Sequence, residues 1–452
     1  MNLSSAKAQH ASEIVDVLRQ RGYSAYLVGG CVRDLLLGRE PADYDVATSA
    51  TPDEVMRIFP RTYAVGAQFG VVLVPVIRDG ADGSRKNFAT EVATYRSDGV
   101  YSDGRHPDQV QFSSEARLDV QRRDFTINGL LLDPASRAVL DYVDGQADLK
   151  RGTIRAIGAP HQRFMEDKLR MLRAVRFAAR FEYEIDEQTF AAIRELAPQI
   201  HQVSHERIRD EILKMLTEGH ARRAFELLDQ TGLLQQVLPE IKKMQGVEQP
   251  PQYHPEGDVW VHTLLLLEGL PAGVSKTLAL GVLLHDVGKP PTFRVAPDRI
   301  RFDSHAEVGT RMAAEICHRF HMSNEETEQV CALVANHMRF GDVAKMKEST
   351  LKRFFRLPNF EEHLELHRLD CLSSHRDLSL YDFANERFHA LPVEEIRPVP
   401  LITGADLIAA GYPPGPLFKQ LLTAVEDAQL EGAIHSKEEA MGLVKSIVEQ
   451  AQ

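Results

Sequence analysis

The sequence predicts an α+β multidomain protein in which an α/β head, a mixed sheet with helices, precedes a remainder made of helices alone. Three observations predict this class. The chain has 452 residues, which at about 150 residues per domain suggests about three units. Its first ~135 residues alternate short apolar runs with amphipathic segments. From about Asp148 onward, apolar residues recur at helical spacing almost without interruption.

Composition indicates a folded protein of the cytoplasm. The 43% hydrophobic and 26% charged residues are typical of globular domains. No apolar stretch approaches the ~20 residues of a membrane helix, and residues 1–12 lack the pattern of a signal peptide. The four cysteines are scattered without a CxxC pair, which favours a reducing compartment and argues against a cysteine zinc site. We therefore expect a cytoplasmic protein with no membrane partner.

The head begins with a pattern suited to binding phosphate. A strand predicted over Ala25–Val28 ends at Gly29 and Gly30, and an amphipathic segment follows to Leu37. A glycine turn at a helix N-terminus leaves backbone N–H groups open to a triphosphate. Arg33, one turn later, is placed to add a charge-assisted contact.

Two aspartates follow in what the sequence predicts to be a second strand, centred on residues 43–47, before a third at 70–76. Asp43 and Asp45 are spaced i and i+2, so on a strand both carboxylates would face the same side. Adjacent carboxylates repel each other unless a cation lies between them, and Mg²⁺ bridging to substrate phosphates is the usual solution. Each motif alone is weak, since such aspartates more often lie in a solvated turn. Their order and spacing together favour Mg²⁺-dependent nucleotide chemistry.

The motifs resemble those of the nucleotidyltransferase superfamily, specifically the bacterial class II CCA-adding tRNA nucleotidyltransferases and poly(A) polymerases. They include YLVGGCVRDLLLGREPADYD at 26–45, GAQFG at 66–70 and RRDFTIN at 122–128. The resemblance runs across most of the chain. It implies transfer of C, C and A from CTP and ATP to the 3′ end of tRNA. Asp43 and Asp45 would be catalytic, hold Mg²⁺ and activate the RNA 3′-hydroxyl for attack on the α-phosphate.

A charged segment further along suggests how bases are chosen. In EDKLRMLRAVRF at 166–177, Asp167, Arg170, Arg173 and Arg176 recur every third residue, which predicts one drifting stripe on a helix. Cytosine and adenine both offer an amino donor beside a ring-nitrogen acceptor, which a carboxylate and a guanidinium match. The resemblance assigns this template role to Asp167 and Arg170, and nucleotide holding to Arg123, Arg173 and Arg176. The alternative is a solvated charged face.

A second constellation lies in the helical body. Its residues follow the ordered pattern of HD-superfamily metal phosphohydrolases, which the surrounding LGVLLHDVGKP at 280–290 makes specific. Imidazoles with carboxylates suit a transition-metal ion that could generate a nucleophile from water. Two roles stay open: a phosphomonoesterase or cyclic phosphodiesterase acting on RNA ends or nucleotides, or a helical scaffold that carries RNA. The predicted ligands are His262, His285, Asp286, His305, His337 and Asp370.

Four domains are therefore predicted. Residues 1–140 form the nucleotidyltransferase head, and 141–235 a helical neck with the nucleotide-selecting helix and an RNA-binding surface. Residues 236–395 form the HD-type body, and 396–452 a helical tail. The net charge of −12 counts against a nucleic-acid partner, but nine basic residues lie between 150 and 180. We expect tRNA to be bound there by shape and backbone, and no DNA.

Two alternatives to CCA addition stay open at this stage. The nearest is the same chemistry with another product, by a poly(A) polymerase or an A-only tRNA nucleotidyltransferase. The glycine-containing segment at 94–111 is predicted to be a loop that, by resemblance, favours A addition, and GAQFG lacks the basic residues typical of polyadenylating relatives. The other alternative, of a different class, is a metal phosphohydrolase that works through the HD residues.

Overall fold

A computed structural model describes residues 1–64, 70–79, 85–99, 109–252, 254–255, 257–297 and 299–451. The chain forms two compact units, Met1–Pro239 and Glu240–Gln452. The four-part division stays a prediction. The segment 66–69 of GAQFG and residues 100–108 of the expected loop lie outside the described residues. No helix in the described part of the chain combines the length and apolar character that crossing a membrane needs.

A six-stranded mixed sheet, in the order β3-β4-β2-β1-β7-β8, forms the centre of the first unit. The strand β1 is antiparallel to β2 and β7, β2 is parallel to β4, and β3 and β8 pair antiparallel with β4 and β7. Two further pairs, β5 with β6 and β9 with β10, lie outside this sheet. The strands are β1 (Ala25–Val28), β2 (Asp45–Thr48), β3 (Val71–Asp79), β4 (Arg85–Thr94), β5 (Arg96–Asp98), β6 (Val110–Phe112), β7 (Leu130–Leu132), β8 (Val139–Asp141), β9 (Thr153–Ile154) and β10 (Glu184–Ile185).

Helices complete the first unit. The first of them, α1, begins after Ser5, whose side chain accepts from the N–H of Ala8, and buries Ile14 and Leu18 in the core of the sheet. The helices are α1 (Ala6–Gln20), α2 (Gly30–Leu36), α3 (Pro52–Ile58), α4 (Ala116–Gln121), α5 (Gly145–Arg151), α6 (Pro160–Glu166), α7 (Leu169–Phe181), α8 (Glu187–Leu196), α9 (His205–Thr217), α10 (Ala221–Gln230), α11 (Leu234–Val237) and α12 (Pro239–Lys242), with 3₁₀ turns at Thr126–Asn128 and Ala197–Gln202.

The second strand differs from the prediction in a way that changes the argument about the two aspartates. It begins at Asp45, not around Asp43, and Asp43 lies in the preceding loop. The pairing of Val28 with Asp45 is the last on β1, because the backbone turns away at Gly29 with φ +78°. Strand geometry therefore does not place the two carboxylates on one face, and that part of the prediction is wrong.

Within its described residues the second unit is helical apart from an isolated bridge between Glu248 and Asp258 and one hairpin, β11 with β12, which the sequence pattern did not predict. Its apolar clusters include one around Phe354 and Phe360 and another around Leu407 and Leu421. With the mixed sheet of the first unit, it confirms the expected α+β class. The elements are α13 (Val259–Gly269), α14 (Lys276–Leu284), α15 (Lys289–Thr292), β11 (Phe293–Val295), β12 (Ile300–Phe302), α16 (His305–Arg319), α17 (Asn324–Asn336), a 3₁₀ segment (His337–Lys345), α18 (Glu348–Phe355), α19 (Phe360–Ser373), α20 (Ser379–Ala390), α21 (Val393–Ile396), α22 (Gly404–Ala409), α23 (Pro416–Leu430) and α24 (Lys437–Ala451).

Candidate functional site

The glycine turn joins β1 to α2 in the conformation that only glycine adopts easily. Gly29 has φ +78°, and a Cβ atom there would lie 3.2 Å from Nη1 of Arg123. The N–H of Gly29 is already donated to the carbonyl of Leu130 at 3.2 Å. The N–H groups left without helical acceptors are those at the start of α2, from Gly30 onward. A phosphate bound at this turn would therefore meet Gly30 and its neighbours, beside Arg123.

Asp45 lies next to this turn, opposite Val28 on the paired strand. On its other side it is in register with Glu91 on the parallel strand β4. Burial, and the nearby carboxylates of Glu91 and Asp43, raise the pKa of Asp45 to about 6. Asp43 is exposed, and its Oδ1 lies 2.9 Å from Nζ of Lys7. A half-buried carboxylate with two carboxylate neighbours is a setting that a divalent cation stabilises, so these residues fit Mg²⁺.

Glu91 was missed by the sequence argument. The residue lies 46 positions after Asp45 and has no motif spacing of its own; the register of β2 and β4 alone places it there. Its carboxylate is exposed, whereas that of Asp45 is largely covered. The sequence pattern predicted no strand around residue 91, so no signal along the chain pointed to this carboxylate.

The side chain of Arg33 is not exposed to solvent. Its guanidinium is buried, with Nε donating to Asp34 Oδ1 at 2.8 Å and Nη1 donating to Asn128 Oδ1 at 2.6 Å. It also lies 4.6 Å from the centre of the Phe181 ring. The side chain thus ties α2 to the RRDFTIN segment and to α7, and its contact with phosphate stays a prediction.

The RRDFTIN segment is held by ion pairs. Arg123 Nη2 lies 2.9 Å from Oδ2 of the buried Asp119, which Arg122 also contacts at 2.7 Å. Although burial opposes it, these two cations hold the pKa of the Asp119 carboxyl below its usual range. This pairing keeps Arg123 beside the Gly29 turn, where the resemblance expects a nucleotide-holding residue.

Arg173 also forms an ion pair with the RRDFTIN segment. Its Nη2 donates to Asp124 Oδ2 at 2.7 Å, and Nε donates to the same oxygen at 2.9 Å. Asn128 donates to the other oxygen of Asp124 at 3.0 Å. Although burial opposes it, Arg173 and the amide of Asn128 hold the pKa of Asp124 well below its usual range. Arg173 thereby fixes α7 to the RRDFTIN segment.

The predicted stripe of four residues does not lie on one helix. Asp167 is in an extended conformation between α6 and α7, with φ −148°, and its Oδ1 accepts from the N–H of Leu169 at 3.0 Å. This local turn explains why the helical spacing failed there. Arg207 on α9 donates to Asp167 Oδ2 at 2.8 Å. Arg170, on α7, donates to Glu166 at 2.8 Å and to the carbonyl of Arg122 at 3.1 Å.

Arg176, like Arg33, is buried. Its Nε donates to Oε2 of the buried Glu211 at 2.6 Å, and its guanidinium lies 4.3 Å from the ring centre of Phe177. Glu218 lies 3.3 Å from Nη1. These contacts connect α7 to α9 inside the first unit, so a contact between Arg176 and a nucleotide stays a prediction.

The basic run at 150–180 is largely neutralised within the fold. Only Asp148, Glu166 and Asp167 oppose it locally, but carboxylates from distant parts of the chain reach it, among them Asp124 and Glu211. Arg155 meets both Asp148 at 3.0 Å and Asp186 at 2.6 Å. The surface charge available to RNA phosphates is therefore smaller than the sequence suggested.

The six predicted metal ligands of the second unit do lie together. They come from five elements: α13 holds His262, His285 and Asp286 follow α14, and His305 begins α16. His337 follows α17, and α19 contributes Asp370. Two sets of three have ligand atoms within 4.8 Å of one another: His262, His285 and Asp370, and Asp286, His305 and His337.

Asp286 lies between the two sets. Its Oδ2 is 3.2 Å from His285 Nε2 and 3.9 Å from His262 Nε2. Its Oδ1 is 3.7 Å from Nε2 of both His305 and His337. Lys289 Nζ lies 2.7 Å from Oδ2 and neutralises this carboxylate.

Hydrogen bonds to backbone carbonyls orient three of these imidazoles. Nδ1 of His285, His305 and His337 lies 2.7–2.9 Å from the carbonyl three residues earlier. Because a carbonyl only accepts, each Nδ1 carries the proton and each Nε2 presents a lone pair. Nε2 of His305 faces Nε2 of His337 at 3.2 Å, and Nε2 of His285 faces Asp286. Opposed lone pairs repel, and a bound cation removes that repulsion.

The protonation states also suit a metal. Burial lowers the pKa of His337 to about 4 and lowers that of His305, so both imidazoles are neutral near pH 7. Although burial opposes it, Lys289 holds the pKa of Asp286 well below its usual range. Neutral imidazoles with ionised carboxylates form a donor set that transition metals prefer.

Sequence profiles of known protein families match parts of both units. The sequence profile of the poly A polymerase head domain matches residues 25–155, and that of domain 2 of tRNA nucleotidyltransferase matches residues 304–443. The CCA-adding enzyme of Enterococcus faecalis is 32% identical over 445 residues, 96% of this chain and 94% of that protein. Poly(A) polymerase I of Haemophilus influenzae is 38% identical over 246 residues, 52% of each chain. The crystal structure of the Bacillus stearothermophilus CCA-adding enzyme in complex with CTP superimposes with a TM-score of 0.74 at 26% identity, covering 99% of both chains.

Proposed function

We propose how this chain catalyses nucleotidyl transfer. The chain belongs to the family of CCA-adding enzymes and is a nucleotidyltransferase. It adds C, C and A, taken from CTP and ATP, to the 3′ end of tRNA. The matches over nearly the whole length of two CCA-adding enzymes, and the superposition of the CTP complex over 99% of both chains, favour this function over poly(A) synthesis. The structural observation that carries the mechanism is the pairing of Val28 with Asp45, which sets a carboxylate beside the glycine turn.

In this mechanism the glycine turn binds the triphosphate and the carboxylates act on the RNA end. The N–H groups at the start of α2 and the guanidinium of Arg123 would contact phosphate oxygens. Asp43 and Asp45 would hold the divalent ion, proposed to be Mg²⁺, which supplies positive charge beside the phosphates when bound. Asp45 in its ionised form would accept the proton of the RNA 3′-hydroxyl as that oxygen attacks the α-phosphorus and pyrophosphate leaves.

Base choice is proposed to rest on Asp167 and Arg170. The carboxylate would accept from the amino group of cytosine or adenine, and the guanidinium would donate to the neighbouring ring nitrogen. Uracil and guanine present a carbonyl and a ring N–H at these places, so each group would meet a like partner. A buried polar group left unpaired costs about 1–3 kcal/mol, enough for roughly ten- to hundredfold discrimination.

The test is incorporation of labelled CTP and ATP, with Mg²⁺, onto tRNAs that end before CCA, after C and after CC. We expect C, C and A in turn, followed by a stop. Addition of A to the CC-ended tRNA alone would show an A-only enzyme. An unbounded run of A would show a poly(A) polymerase, and either result would contradict the proposal.

We also propose that the second unit is an HD-type metal domain with a secondary phosphohydrolase activity on RNA ends or nucleotides. Support comes from the two sets of ligands, which Asp286 connects because its Oδ2 lies near His285 and its Oδ1 near His305 and His337, and from the opposed Nε2 lone pairs of His305 and His337. A transition-metal ion held by these residues would supply an activated water. The domain would contribute neutral imidazoles, and Lys289 would neutralise Asp286 while the ion is absent. Metal analysis of the purified chain before and after substitution of His285 tests the site.

A further inference from the structure

Two cavities of the second unit adjoin each other at the C-terminal end of α19. One, of about 510 Å³, reaches the proposed metal ligands His305 and Asp370. The other, of about 680 Å³, lies farther along α13 and α19 and is lined by Glu268, Leu369 and Arg376 among others. Both are lined by Ser374 and His375. They thus form one groove, and each part is large enough for a nucleotide-sized ligand.

The groove is rich in cations. Arg299 and Arg301 line the part near the ligands, as does Lys289, which already pairs with Asp286 at 2.7 Å, and Arg376 lines the far part. Two of the acidic lining residues already have partners, because Asp303 Oδ2 lies 2.6 Å from Arg294 and Asp370 Oδ1 lies 3.0 Å from His262. A groove of this charge fits a polyanion rather than a neutral ligand.

His375 lines both cavities, and its neighbour Arg376 lines the far one. The Arg376 side chain is exposed, and no ion pair or hydrogen bond joins it to the described residues. The backbone of Arg376 has φ +61°, a conformation that favours glycine and is costly for arginine. Nδ1 of His375 accepts from the N–H of Asp377 at 3.0 Å, so the neutral imidazole carries its proton on Nε2. Both side chains are donors suited to phosphate oxygens.

We propose that this groove binds the single-stranded end of an RNA, with the terminal phosphate in the cavity beside the metal ligands. Arg376 and His375 contact the phosphodiester one or more nucleotides before that end. The groove thereby distinguishes an RNA strand from a free mononucleotide. The proposal rests on the HD-type metal site and deepens it by naming the class of substrate.

The test measures binding to the full-length chain in chelator, so that no turnover occurs. The probe is a 5′-fluorescein uridine tetranucleotide with a 3′-phosphate, a blocked end that the transferase head cannot extend, compared with uridine 3′-monophosphate. We expect Arg376→Gln to weaken tetranucleotide binding about three- to tenfold, as for one charge-assisted contact, and to leave mononucleotide binding unchanged. Arg311→Gln, which removes an exposed arginine of α16 that pairs with Glu307 outside the groove, is the matched control.

A second variant separates binding from folding. Arg376→Gly removes the side chain and relieves the left-handed backbone, so its melting temperature should equal or exceed that of the parent while tetranucleotide binding falls. Equal loss of mononucleotide and tetranucleotide binding, or equal loss in Arg311→Gln, would overturn the proposal. Metal analysis of the same preparations keeps the two ideas apart. If the chain binds metal but Arg376→Gln leaves tetranucleotide binding unchanged, the proposed groove is wrong. If Arg376→Gln weakens tetranucleotide binding but the chain binds no metal, the proposed metal site is wrong.

Discussion

At the end of β1, the backbone turns at Gly29 and leaves the side chain of Asp45 beside the turn. Asp45 has Glu91 in register on one side and Asp43 two residues before it, and burial raises its pKa to about 6. The carboxylates of Asp45, Glu91 and Asp43 repel one another, and either a proton on Asp45 or a bound metal ion reduces that repulsion. The same residue is therefore expected to be unfavourable for folding and necessary for transfer.

Asp45→Asn should stabilise the metal-free protein. A carboxyl whose pKa rises on folding from about 4 to about 6 contributes stability below pH 4, which is lost as the pH rises through 6. At pH 8 with chelator, Asn should raise the free energy of unfolding by up to about 3 kcal/mol and abolish nucleotide incorporation. Asp43→Asn is the control, since Asp43 is exposed and should give no such gain. A lower melting temperature for Asp45→Asn would contradict the expectation.

Gly29→Ala should lower activity more than its backbone cost implies. Both Gly29 and Gly22 have positive φ, but a Cβ atom at Gly22 would meet nothing within 4 Å, whereas one at Gly29 would lie 3.2 Å from Arg123. Gly22→Ala should cost about 1 kcal/mol of stability, whereas Gly29→Ala should cost about 1–3 kcal/mol, because φ +78° with ψ −134° is a region that side chains rarely adopt. Only Gly29→Ala should raise the KM for CTP and ATP, because it displaces the guanidinium from the turn. Steady-state kinetics of both variants measures the difference.

At the scale of elements, α7 joins the proposed site to the body of the first unit. It is fixed to the RRDFTIN segment by Arg173 and Asp124, and to α9 by Arg176 and Glu211. The helix α9 also supplies Arg207, which holds Asp167 outside α7. Asp167, the proposed base-selecting carboxylate, is thus positioned by a different helix from the one that carries Arg170.

Arg207→Ala should relax base selection. Without this donor Asp167 keeps only its contact to the N–H of Leu169, so its second oxygen is no longer oriented. We expect discrimination of CTP against UTP to fall by about tenfold, which corresponds to about 1.4 kcal/mol. Arg209→Ala, which removes an arginine on the same helix that pairs with Asp210, is the control. Unchanged misincorporation of UTP in Arg207→Ala would exclude this positioning role.

The pair of Arg176 and Glu211 should be structural. Both side chains are buried, so Glu211→Ala leaves a buried cation with only Glu218 nearby and should cost about 3 kcal/mol. The double replacement Arg176→Met with Glu211→Leu should recover most of that stability, as measured by denaturant unfolding. If the double variant is stable but binds CTP poorly, Arg176 contacts nucleotide as the resemblance implies. If it binds CTP normally, the pair only holds α7 against α9.

At the scale of the whole molecule, the transfer site and the metal site that we propose lie in different units. The proposed transfer residues lie before Pro239, and the proposed metal ligands after Glu240. His337→Ala should therefore reduce the transition-metal content, measured by elemental analysis, without lowering CCA addition. Replacement of Asp43 and Asp45 by Ala should do the reverse. Loss of CCA addition in His337→Ala, with the protein still folded, would contradict this separation.

The sequence by itself determined the α+β class, the family and the residues that carry the proposed chemistry. It could do so because motifs such as Gly-Gly before a helix, or His-Asp within an apolar run, act through neighbours a few positions apart. That spacing is set by covalent geometry, and the first strand at Ala25–Val28 was placed correctly for the same reason.

Only the tertiary structure decided which residues meet across the fold. Strand register set Glu91 beside Asp45, and the end of β1 at Gly29 moved Asp43 out of the strand. Packing of α9 brought Arg207 to Asp167 and Glu211 to Arg176, and so neutralised arginines that looked free in the basic run. Charge partners far apart along the chain are chosen by packing, because burial makes an unpaired charge costly and any carboxylate within reach can satisfy it.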